Sequence, residues 1–382
     1  MEECINEYKF ERRIRFNDNN RLFLCTKKET KEKYIIKRLE NEKSFEKFIN
    51  NSISIQKSLH HRNVSKLLDY KIGERYTYLI FEYNKYSLNL DNYLQRYIRK
   101  YGKPLPQKIV QYIMTKIISA FMYLHEKNIM HRNLKPENIL IIFHSQEAKE
   151  KLYIENSEIK ICNFLFSCGI KKGDLETDIL GTPLYMDPQL IEEFLEQKKK
   201  NNFGYDLRVD IWSLGIIAYE LLYGENPFKA YNIERIYNKI KYGIYLLPYQ
   251  ISLSKEAIAF LNGTLQFYPE NRLNIEQLSR HFFVTKNSDD FCSISFRYIR
   301  KKIYLSCYDN YLLFSYPFNN KYFAKLVDIN PFEYLDNDSF SNYDGYFKNK
   351  RGKIFSLKNK KENKDKENKE HKILLIDDLL EF

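Results

Sequence analysis

The polar side chains best suited to chemistry in this chain fall within one short stretch, residues 129–140. They are His131, Arg132, Asn133, Lys135 and Asn138. Asn163 adds one more amide further along the chain. An amide donates and accepts hydrogen bonds but cannot take up a proton at physiological pH, so Asn133 cannot act as a general base. An amide oxygen can ligate Mg²⁺, but without a formal charge it binds the ion more weakly than a carboxylate does.

The stretch resembles the catalytic loop of protein kinases, whose pattern is H-R-D-L-K-x-x-N. Its matches to that pattern are His131, Arg132, Leu134, Lys135 and Asn138. In that family the aspartate is the base that accepts the proton of the substrate hydroxyl, and Asn133 occupies its position here. The resemblance places Asn133 and Lys135 at the catalytic site. It leaves open whether the chain is an enzyme with one altered residue or a kinase fold that no longer catalyses.

The phosphate-binding lysine of the family is matched by Lys37. The run Tyr34-Ile35-Ile36-Lys37 sits where the family has V-A-I-K, whose lysine pairs with the α- and β-phosphates of ATP. The glycine-rich loop should precede this run, but the corresponding window, residues 16–23, contains no glycine, and the first glycine of the chain is Gly73. Because glycine lets the backbone approach phosphates closely, we expect this loop to have lost its phosphate cradle.

The next helix lacks the glutamate that pairs with this lysine in the family. Residues 42–59 have the apolar spacing of a helix, and the run Leu59–Val64 after it resembles the L-x-H-x-N-I run of the family. Counting back from that run puts Ser52 at the position of the glutamate. Glu46 lies six residues earlier. At ~100° per residue that is about 240° around the helix, so we expect Glu46 to point elsewhere.

The hinge between the two lobes of the family is matched by the end of the run Tyr78–Tyr83. The resemblance makes Glu82 and Tyr83 candidate nucleotide-binding residues. Phe81 falls at the gatekeeper position, and Ile35 replaces a small residue that lies over adenine in the family. We expect both side chains to narrow the pocket.

The D-F-G motif of the family, whose aspartate holds magnesium between the phosphates, is also altered. Residues 159–167 resemble its surroundings, but Asn163 replaces the aspartate and Leu165 the glycine. Asn138, the second metal ligand of the family, remains. Two neutral amides make a poor magnesium site. The resemblance implies ATP and Mg²⁺ as cofactors, and these replacements count against both.

The activation segment ends in residues 181–189, which resemble the G-T-P-x-Y-M-A-P-E run of Ser/Thr kinases. We expect Asp178 to be a permanent anionic partner of Arg132 that orders the segment without phosphorylation. The alternative is a solvated surface aspartate. Gln189 replaces the final glutamate of the run, and we expect a hydrogen bond with Arg272 to substitute for the ion pair of the family.

Long helices must position these loops. Residues 107–127 have the spacing of a buried helix that leads into the catalytic loop. The run Asp210–Gly215 matches the central helix of the family, whose aspartate holds the backbone of the catalytic loop. Residues 145–158 form a polar insertion, which we expect to be a surface loop.

The resemblance implies an α+β, bilobal protein-kinase fold over residues 8–284. We expect a small β-rich N-lobe with one helix at 8–84 and a larger, mainly α-helical C-lobe at 85–284. The C-terminal extension divides into an aromatic-rich extension or small module at 285–347, a lysine-rich linker at 348–372 and an apolar segment at 373–382. The last segment is expected to dock as a short helix on its own chain or on a partner, or else to fray.

Composition narrows the class of protein. The 382 residues carry a net charge of +12, which predicts a lysine-rich solvated surface, with attraction to nucleic acid or anionic membrane as the alternative. The six cysteines form no C-x-x-C pair, so neither a zinc site nor a disulfide framework is indicated. Neither a signal peptide nor an apolar run of the ~20 residues needed to span a bilayer is evident. We expect a cytoplasmic protein, with a nuclear location also compatible.

Positions that carry kinase chemistry are replaced together, whereas scaffold positions persist. The replacements are the loop without glycine, Ser52, Asn133 and Asn163. This division favours a pseudokinase: a scaffold or allosteric regulator in signalling whose partners are proteins, such as an active kinase or a kinase substrate, and not a specific nucleic acid. The alternative is a weakly active or atypical ATP-dependent Ser/Thr protein kinase that relies on Lys37, Lys135 and Asn138. A third hypothesis is electrostatic binding of nucleic acid or membrane by the basic tail, residues 348–382.

Overall fold

The structure is a computed structural model that describes residues 3–14, 22–196, 203–243 and 251–285, together with the backbone of short strands elsewhere. Residues 15–21, which include most of the predicted glycine-free loop, lie outside the described residues, and so does most of the chain after residue 285. Within the described part, no helix is both long and apolar enough to cross a membrane.

One antiparallel sheet makes up most of the N-terminal lobe. Its strands are β1 (Tyr8–Arg13), β2 (Leu22–Lys27), β3 (Lys33–Glu40), β4 (Leu67–Ile72) and β5 (Tyr76–Glu82). They pair in the order β1-β2-β3-β5-β4. Ile5, which precedes the predicted start of the lobe at residue 8, is fully buried in a cluster with Ile36 and Ile80. The first residues of the chain therefore contribute to the core of this lobe.

A single helix, α1 (Lys43–Ser58), packs on the sheet where residues 42–59 predicted one. Its buried apolar residues recur at the spacing of one helix face: Phe45, Ile49 and Ile53. They form a cluster with Leu79 of β5 and with Phe166 of the activation segment. The helix is thereby held between the sheet and the activation segment.

The C-terminal lobe is mainly helical. Its helices are α2 (Leu90–Tyr101), α3 (Gln107–Glu126), α4 (Gln146–Lys151), α5 (Pro188–Glu196), α6 (Arg208–Tyr223), α7 (Ile233–Lys241), α8 (Lys255–Thr264), α9 (Ile275–Ser279) and α10 (Phe282–Thr285). Its short strands are β6 (Ser87–Asn89), β7 (Ile129–Met130), β8 (Ile139–Ile142), β9 (Glu158–Ile161), β10 (Cys168–Gly169) and β11 (Leu180–Gly181). A β-rich lobe followed by a helical lobe confirms the predicted bilobal α+β fold.

Two helices form the centre of this lobe. The predicted helix at 107–127 is α3, which runs directly into the catalytic loop. Every residue of α6 from Val209 to Tyr223 is buried. Gly215 of α6 faces Thr264 of α8, and a Cβ at Gly215 would lie only 2.5 Å from the Thr264 hydroxyl oxygen. The missing side chain therefore allows the two helices to approach closely.

The polar insertion at 145–158 is not a loop throughout, so that prediction was wrong. It contains α4, whose N-cap Ser145 accepts a hydrogen bond from the Ala148 N–H at 3.1 Å. Leu152 and Ile154, which follow the helix, are buried in the main core. The insertion is therefore folded onto the lobe.

A small three-stranded sheet is described by its backbone alone. β12 (Leu246–Pro248) pairs with β14 (Tyr311–Leu313), and β14 pairs with β13 (Cys307–Tyr308). The predicted boundaries at 285, 348 and 373 stay predictions.

Three more short strands are described in the same way. β15 (Tyr346–Lys348) and β16 (Ile354–Ser356) pair antiparallel within a separate unit, Pro317–Ile373. β17 (Leu374–Leu375) pairs in parallel with β11 of the activation segment. For these two residues the helix expected within 373–382 was wrong, and the remainder of that segment lies outside the described residues.

Candidate functional site

A cavity of about 310 Å³ lies at the catalytic loop. All the residues that the sequence assigned to the site line it: Lys37, Glu82, Tyr83, Asn133, Lys135, Asn138 and Asn163. Ser52 and the gatekeeper Phe81 line it as well. Its volume is at the lower end of small-molecule sites, which span ~300–1,000 Å³.

Lys37 lies on β3 and is only 9% exposed. Its Nζ donates a hydrogen bond to Asn163 Oδ1 at 2.7 Å. Ser52 is fully buried on α1 and its hydroxyl accepts a hydrogen bond from Gln56 Nε2 at 2.9 Å, whereas Glu46 is exposed to solvent. The lysine is thus held by an amide from the altered D-F-G motif.

The two amides predicted as weak metal ligands are bonded to each other. Asn163 Nδ2 donates to Asn138 Oδ1 at 3.1 Å, and Asn138 Nδ2 donates to the backbone carbonyl of Asn133 at 2.8 Å. Each side-chain oxygen therefore already accepts an N–H, either from Lys37 or from Asn163. In this arrangement the residues do not fit Mg²⁺, because both side-chain oxygens are neutral, each already accepts a hydrogen bond, and the ion would gain no carboxylate ligand.

Asn133 is held at both its backbone and its side chain. Its Oδ1 accepts a hydrogen bond from the Thr182 hydroxyl at 3.0 Å, and its N–H donates to His131 Nδ1 at 3.3 Å. Since the amide cannot accept a proton, this oxygen can orient a hydroxyl but cannot deprotonate it. The catalytic position is therefore occupied by a structural contact with the activation segment.

Asp210 of α6 holds the catalytic loop, as the resemblance predicted. Its two carboxylate oxygens accept the N–H groups of His131 at 2.9 Å and Arg132 at 3.0 Å. Burial lowers the pKa of His131 despite the nearby carboxylate. Its neutral ring accepts from Asn133 at Nδ1, so Nε2 carries the hydrogen that bonds to the Cys162 carbonyl at 3.0 Å.

The acidic partner of Arg132 is Glu176 and not Asp178, so the predicted pairing was wrong. Arg132 Nη1 lies 3.3 Å from Glu176 Oε2, whereas the Asp178 carboxylate lies 3.4 Å from Lys47 Nζ. Burial opposes ionisation of Glu176, but the Thr177 N–H and the charge of Arg132 hold its pKa below the usual value. The activation segment carries the expected carboxylate two residues earlier than predicted.

The predicted bond between Gln189 and Arg272 was also wrong. Arg272 Nη1 donates to Asp187 Oδ2, and both side chains are fully buried. Arg272 also donates to the backbone carbonyls of Gln266 and Arg208, at 2.8 and 2.9 Å. The end of the activation segment is therefore anchored by an ion pair.

At the hinge, Ile35 of β3 lies opposite Phe81 of β5, and both line the cavity. The Glu82 side chain is 63% exposed, and its carboxylate lies 3.8 Å from Lys160 Nζ. A carboxylate in that position is already partly neutralised by a neighbouring cation.

The polar residues that line the cavity without having been predicted from the sequence include Arg12, Gln56, Asn89 and Lys149. The available signal for Gln56 was its spacing of one helical turn from Ser52. Asn89 could have been recognised as the N-cap of α2, since its Oδ1 accepts from the Asn92 N–H at 2.8 Å. No pattern in the sequence pointed to Arg12 or Lys149.

Comparison with known proteins places this geometry in a family. The family model described as "Protein kinase domain" matches residues 18–284. Serine/threonine-protein kinase ULK3 of Xenopus laevis is 33% identical over 233 residues, which are 61% of this chain and 44% of that protein. An Aurora kinase of Eremothecium gossypii is 29% identical over 265 residues, 69% of this chain and 63% of that protein. Myosin light chain kinase A of Dictyostelium discoideum is 30% identical over 295 residues, 76% and 92% of the two chains.

The chain spans less than two thirds of the length of the first two relatives. The family match nevertheless covers more than half of this chain and runs through both lobes, including every cavity residue from Leu22 onward. The motifs at Lys37, Asn138 and Asp210 fall inside it, at positions where the structure brings them to one site. The chain belongs to the protein kinase family.

Proposed function

We propose that this chain is a pseudokinase, which uses a kinase fold to scaffold or allosterically regulate a signalling protein without transferring phosphate. The observation that carries the proposal is the hydrogen-bonded series Lys37–Asn163–Asn138. In this series each amide oxygen that a metal would need already accepts a hydrogen bond, and no carboxylate is present.

The expected loss of rate is large. Loss of a general base at Asn133 alone lowers the rate of a proton-transfer step by ~10²–10⁴. Phosphoryl transfer also depends on metal ions that neutralise charge between the phosphates, and neutral amides at Asn138 and Asn163 do this poorly. The architecture around them persists, since Asp210 still holds the catalytic loop and Arg272 still anchors the activation segment. A fold that retains its structural contacts but lacks the groups that phosphoryl transfer needs supports a binding role.

The proposed partners are proteins, such as an active kinase or a kinase substrate. The proposed location is the cytoplasm. Charge on the described surface does not require nucleic acid, since lysine-rich solvated faces are common. Most of the basic tail at 348–382 lies outside the described residues, and salt-dependent binding by a peptide of that sequence would test the electrostatic hypothesis.

The second candidate is a weakly active Ser/Thr protein kinase. It is favoured by Lys37 and Lys135, which both line the cavity, and by relatives that are named as Ser/Thr kinases. Because phosphoryl transfer is largely positioning and electrostatics, the absence of the base does not by itself abolish it.

A phosphotransfer assay separates the two. The full chain, Lys37→Met and the double variant Asn133→Asp/Asn163→Asp would be incubated with labelled ATP, Mg²⁺ or Mn²⁺, and general Ser/Thr substrates. We expect the unaltered chain and Lys37→Met to be equally inactive. Transfer by the unaltered chain that disappears in Lys37→Met would overturn the pseudokinase proposal. The double variant shows whether the two carboxylates alone restore activity.

A further inference from the structure

A short strand near the end of the activation segment, β11 (Leu180–Gly181), pairs with a strand from far along the chain. Its partner β17 (Leu374–Leu375) runs in the same direction, with Leu180 opposite Leu374 and Gly181 opposite Leu375. Parallel strands cannot be joined by a tight turn, and here most of the C-terminal lobe lies between the two in sequence. β17 belongs to the same compact unit as both lobes, so the pairing is a long-range contact within that unit.

The backbone of β11 has few other partners. Both of its residues are buried, and Leu180 is 3% exposed. Among the described residues β17 is the one strand that pairs with β11, and no turn, loop or side chain bonds to the backbone of Leu180 or Gly181. Because buried N–H and C=O groups are costly to leave unpaired, β11 needs an extended segment beside it.

The position of β11 links it to the catalytic loop. The Leu180 side chain packs in a cluster with buried residues of α1. The backbone of Gly181 approaches the catalytic loop so closely that a Cβ there would lie 3.2 Å from the Arg132 carbonyl oxygen. The next residue, Thr182, donates its hydroxyl hydrogen to Asn133 Oδ1 at 3.0 Å. A strand that pairs with β11 therefore adjoins the contact that holds the activation segment to the catalytic position.

The sequence around β17 suits this kind of pairing. Residues 373–376 are four apolar residues in succession, two of them isoleucine, between a lysine-rich stretch and two aspartates. Isoleucine is enriched in β-strands, where its branched side chain packs well. On the other side of the pairing, β11 is flanked by the half-buried Ile179, Pro183 and Leu184. An apolar extended segment is the occupant that this edge favours.

We propose that the edge of β11 is a strand-addition site and that its occupant is the chain's own apolar run, residues 373–376. In this mode of recognition main-chain hydrogen bonds supply the affinity and the flanking side chains supply the specificity. The run acts as an intramolecular latch, which keeps Thr182 at Asn133 and the end of the activation segment in place. The latch operates whether or not the chain transfers phosphate.

Hydrogen–deuterium exchange of the full chain measures the latch directly. Leu374→Pro/Leu375→Pro removes the N–H groups of both paired residues, and proline cannot donate to a sheet ladder. We expect the amides of residues 179–182 to exchange at least about fivefold faster in this variant, the effect of losing one main-chain hydrogen bond. The amides of β10 (Cys168–Gly169), which pairs with β7 in the same activation segment, should be unaffected.

The matched control is Leu379→Pro/Leu380→Pro. It makes the same two substitutions a few residues further along, outside the residues that pair with β11. We expect the exchange of residues 179–182 in this variant to match that of the unaltered chain.

A labelled peptide of residues 370–382 provides a second test, read by fluorescence anisotropy. It should bind the Leu374→Pro/Leu375→Pro chain at least about tenfold more tightly than the unaltered chain, because in the latter the tethered run competes for the same edge. A peptide that carries the same two prolines should bind neither protein.

Several outcomes would overturn the proposal. One is unchanged exchange at residues 179–182 in the first variant, and another is equal acceleration in both double variants. Equal binding of the peptide by the unaltered chain and the proline variant would show that it binds elsewhere. Protection of β11 that rises with protein concentration would assign the occupant to a second copy of the chain. None of these results bears on the pseudokinase proposal, which the phosphotransfer assay decides.

Discussion

Arg272 and Asp187 form an ion pair inside the C-terminal lobe, with both side chains fully buried. In the motif of Ser/Thr kinases that residues 181–189 resemble, the carboxylate stands two positions later, where this chain has Gln189. The carboxylate that pairs with the arginine therefore lies two positions earlier than in the family motif, whereas the arginine is at the matching position. The guanidinium also lies over the Trp212 ring, 5.2 Å from its centroid, so the pair is part of the core.

Removing one member of this pair should be costly. Asp187→Ala leaves the Arg272 charge buried and unpaired, and we expect the free energy of unfolding to fall by about 3–5 kcal/mol. Chemical denaturation of the full chain measures this. Gln189→Ala serves as the control and should change stability by less than about 1 kcal/mol. A double variant, Asp187→Ala/Gln189→Glu, should recover part of the loss; equal effects of the two single variants would contradict the assignment.

The pair between Arg132 and Glu176 should keep the activation segment ordered. Glu176→Gln removes the carboxylate that lies 3.3 Å from Arg132, and we expect limited proteolysis of the segment to speed up at least about fivefold, the effect of ~1 kcal/mol. Asp178→Asn is the matched control, because its carboxylate pairs with the exposed Lys47 instead. If Asp178→Asn made the segment more sensitive to proteolysis than Glu176→Gln did, the pairing of Arg132 with Glu176 would be contradicted.

Gly215 should tolerate no side chain. A methyl group there would lie 2.5 Å from Thr264 Oγ1 and 2.8 Å from Leu265 Cδ2, in a fully buried contact between α6 and α8. We expect Gly215→Ala to lower the free energy of unfolding by about 1–3 kcal/mol through overpacking. Gly169→Ala is the control, since a Cβ there meets only the Asn128 carbonyl, at 4.0 Å. If the melting temperature is unchanged in both variants, α6 and α8 can move apart at little cost in free energy, and the prediction is wrong.

Glu220 should make stability depend on pH near neutrality. Burial raises its pKa from 4.5 to about 7, although the Tyr185 hydroxyl donates to it at 2.8 Å. Because the folded state holds this proton more tightly than the unfolded state, stability falls as pH rises from about 4.5 to 7.

Glu220→Gln removes this titration and keeps an acceptor for Tyr185. We expect the variant to match the unaltered chain near pH 4.5 and to be more stable at pH 8, by at most roughly 3 kcal/mol. Denaturation midpoints across that range provide the measurement. A constant difference between the two proteins at all pH values would refute the assignment.

The sequence predicted those parts of the site that depend on residue type at a fixed position. Lys37, Asn133, Asn138 and Asn163 were identified by their motifs, and the structure brings them to one cavity. The helix α3 was predicted because its apolar residues recur at helical spacing over twenty residues.

What the sequence did not reveal depends on the path of irregular backbone. Asp178 and Glu176 are two residues apart in a loop, and Asp187 and Gln189 flank the start of α5. Which side chain reaches an arginine depends on local turns that no periodicity reports. The helix α4 is different, because its signals were present. An N-cap serine and the pair Glu147–Lys151 at i,i+4 both indicate a helix within the insertion.

The bond between Lys37 and Asn163 has an entropic consequence. A lysine side chain loses up to ~2 kcal/mol of rotamer freedom when it is fixed in one geometry. Here Asn163 holds the ammonium group before any ligand arrives, so that loss belongs to folding and not to binding. Preorganisation of this kind raises affinity about tenfold for each 1.4 kcal/mol already spent. Asn163 stands at the position of a metal ligand in the family, and here its side chain fixes the orientation of the Lys37 ammonium group.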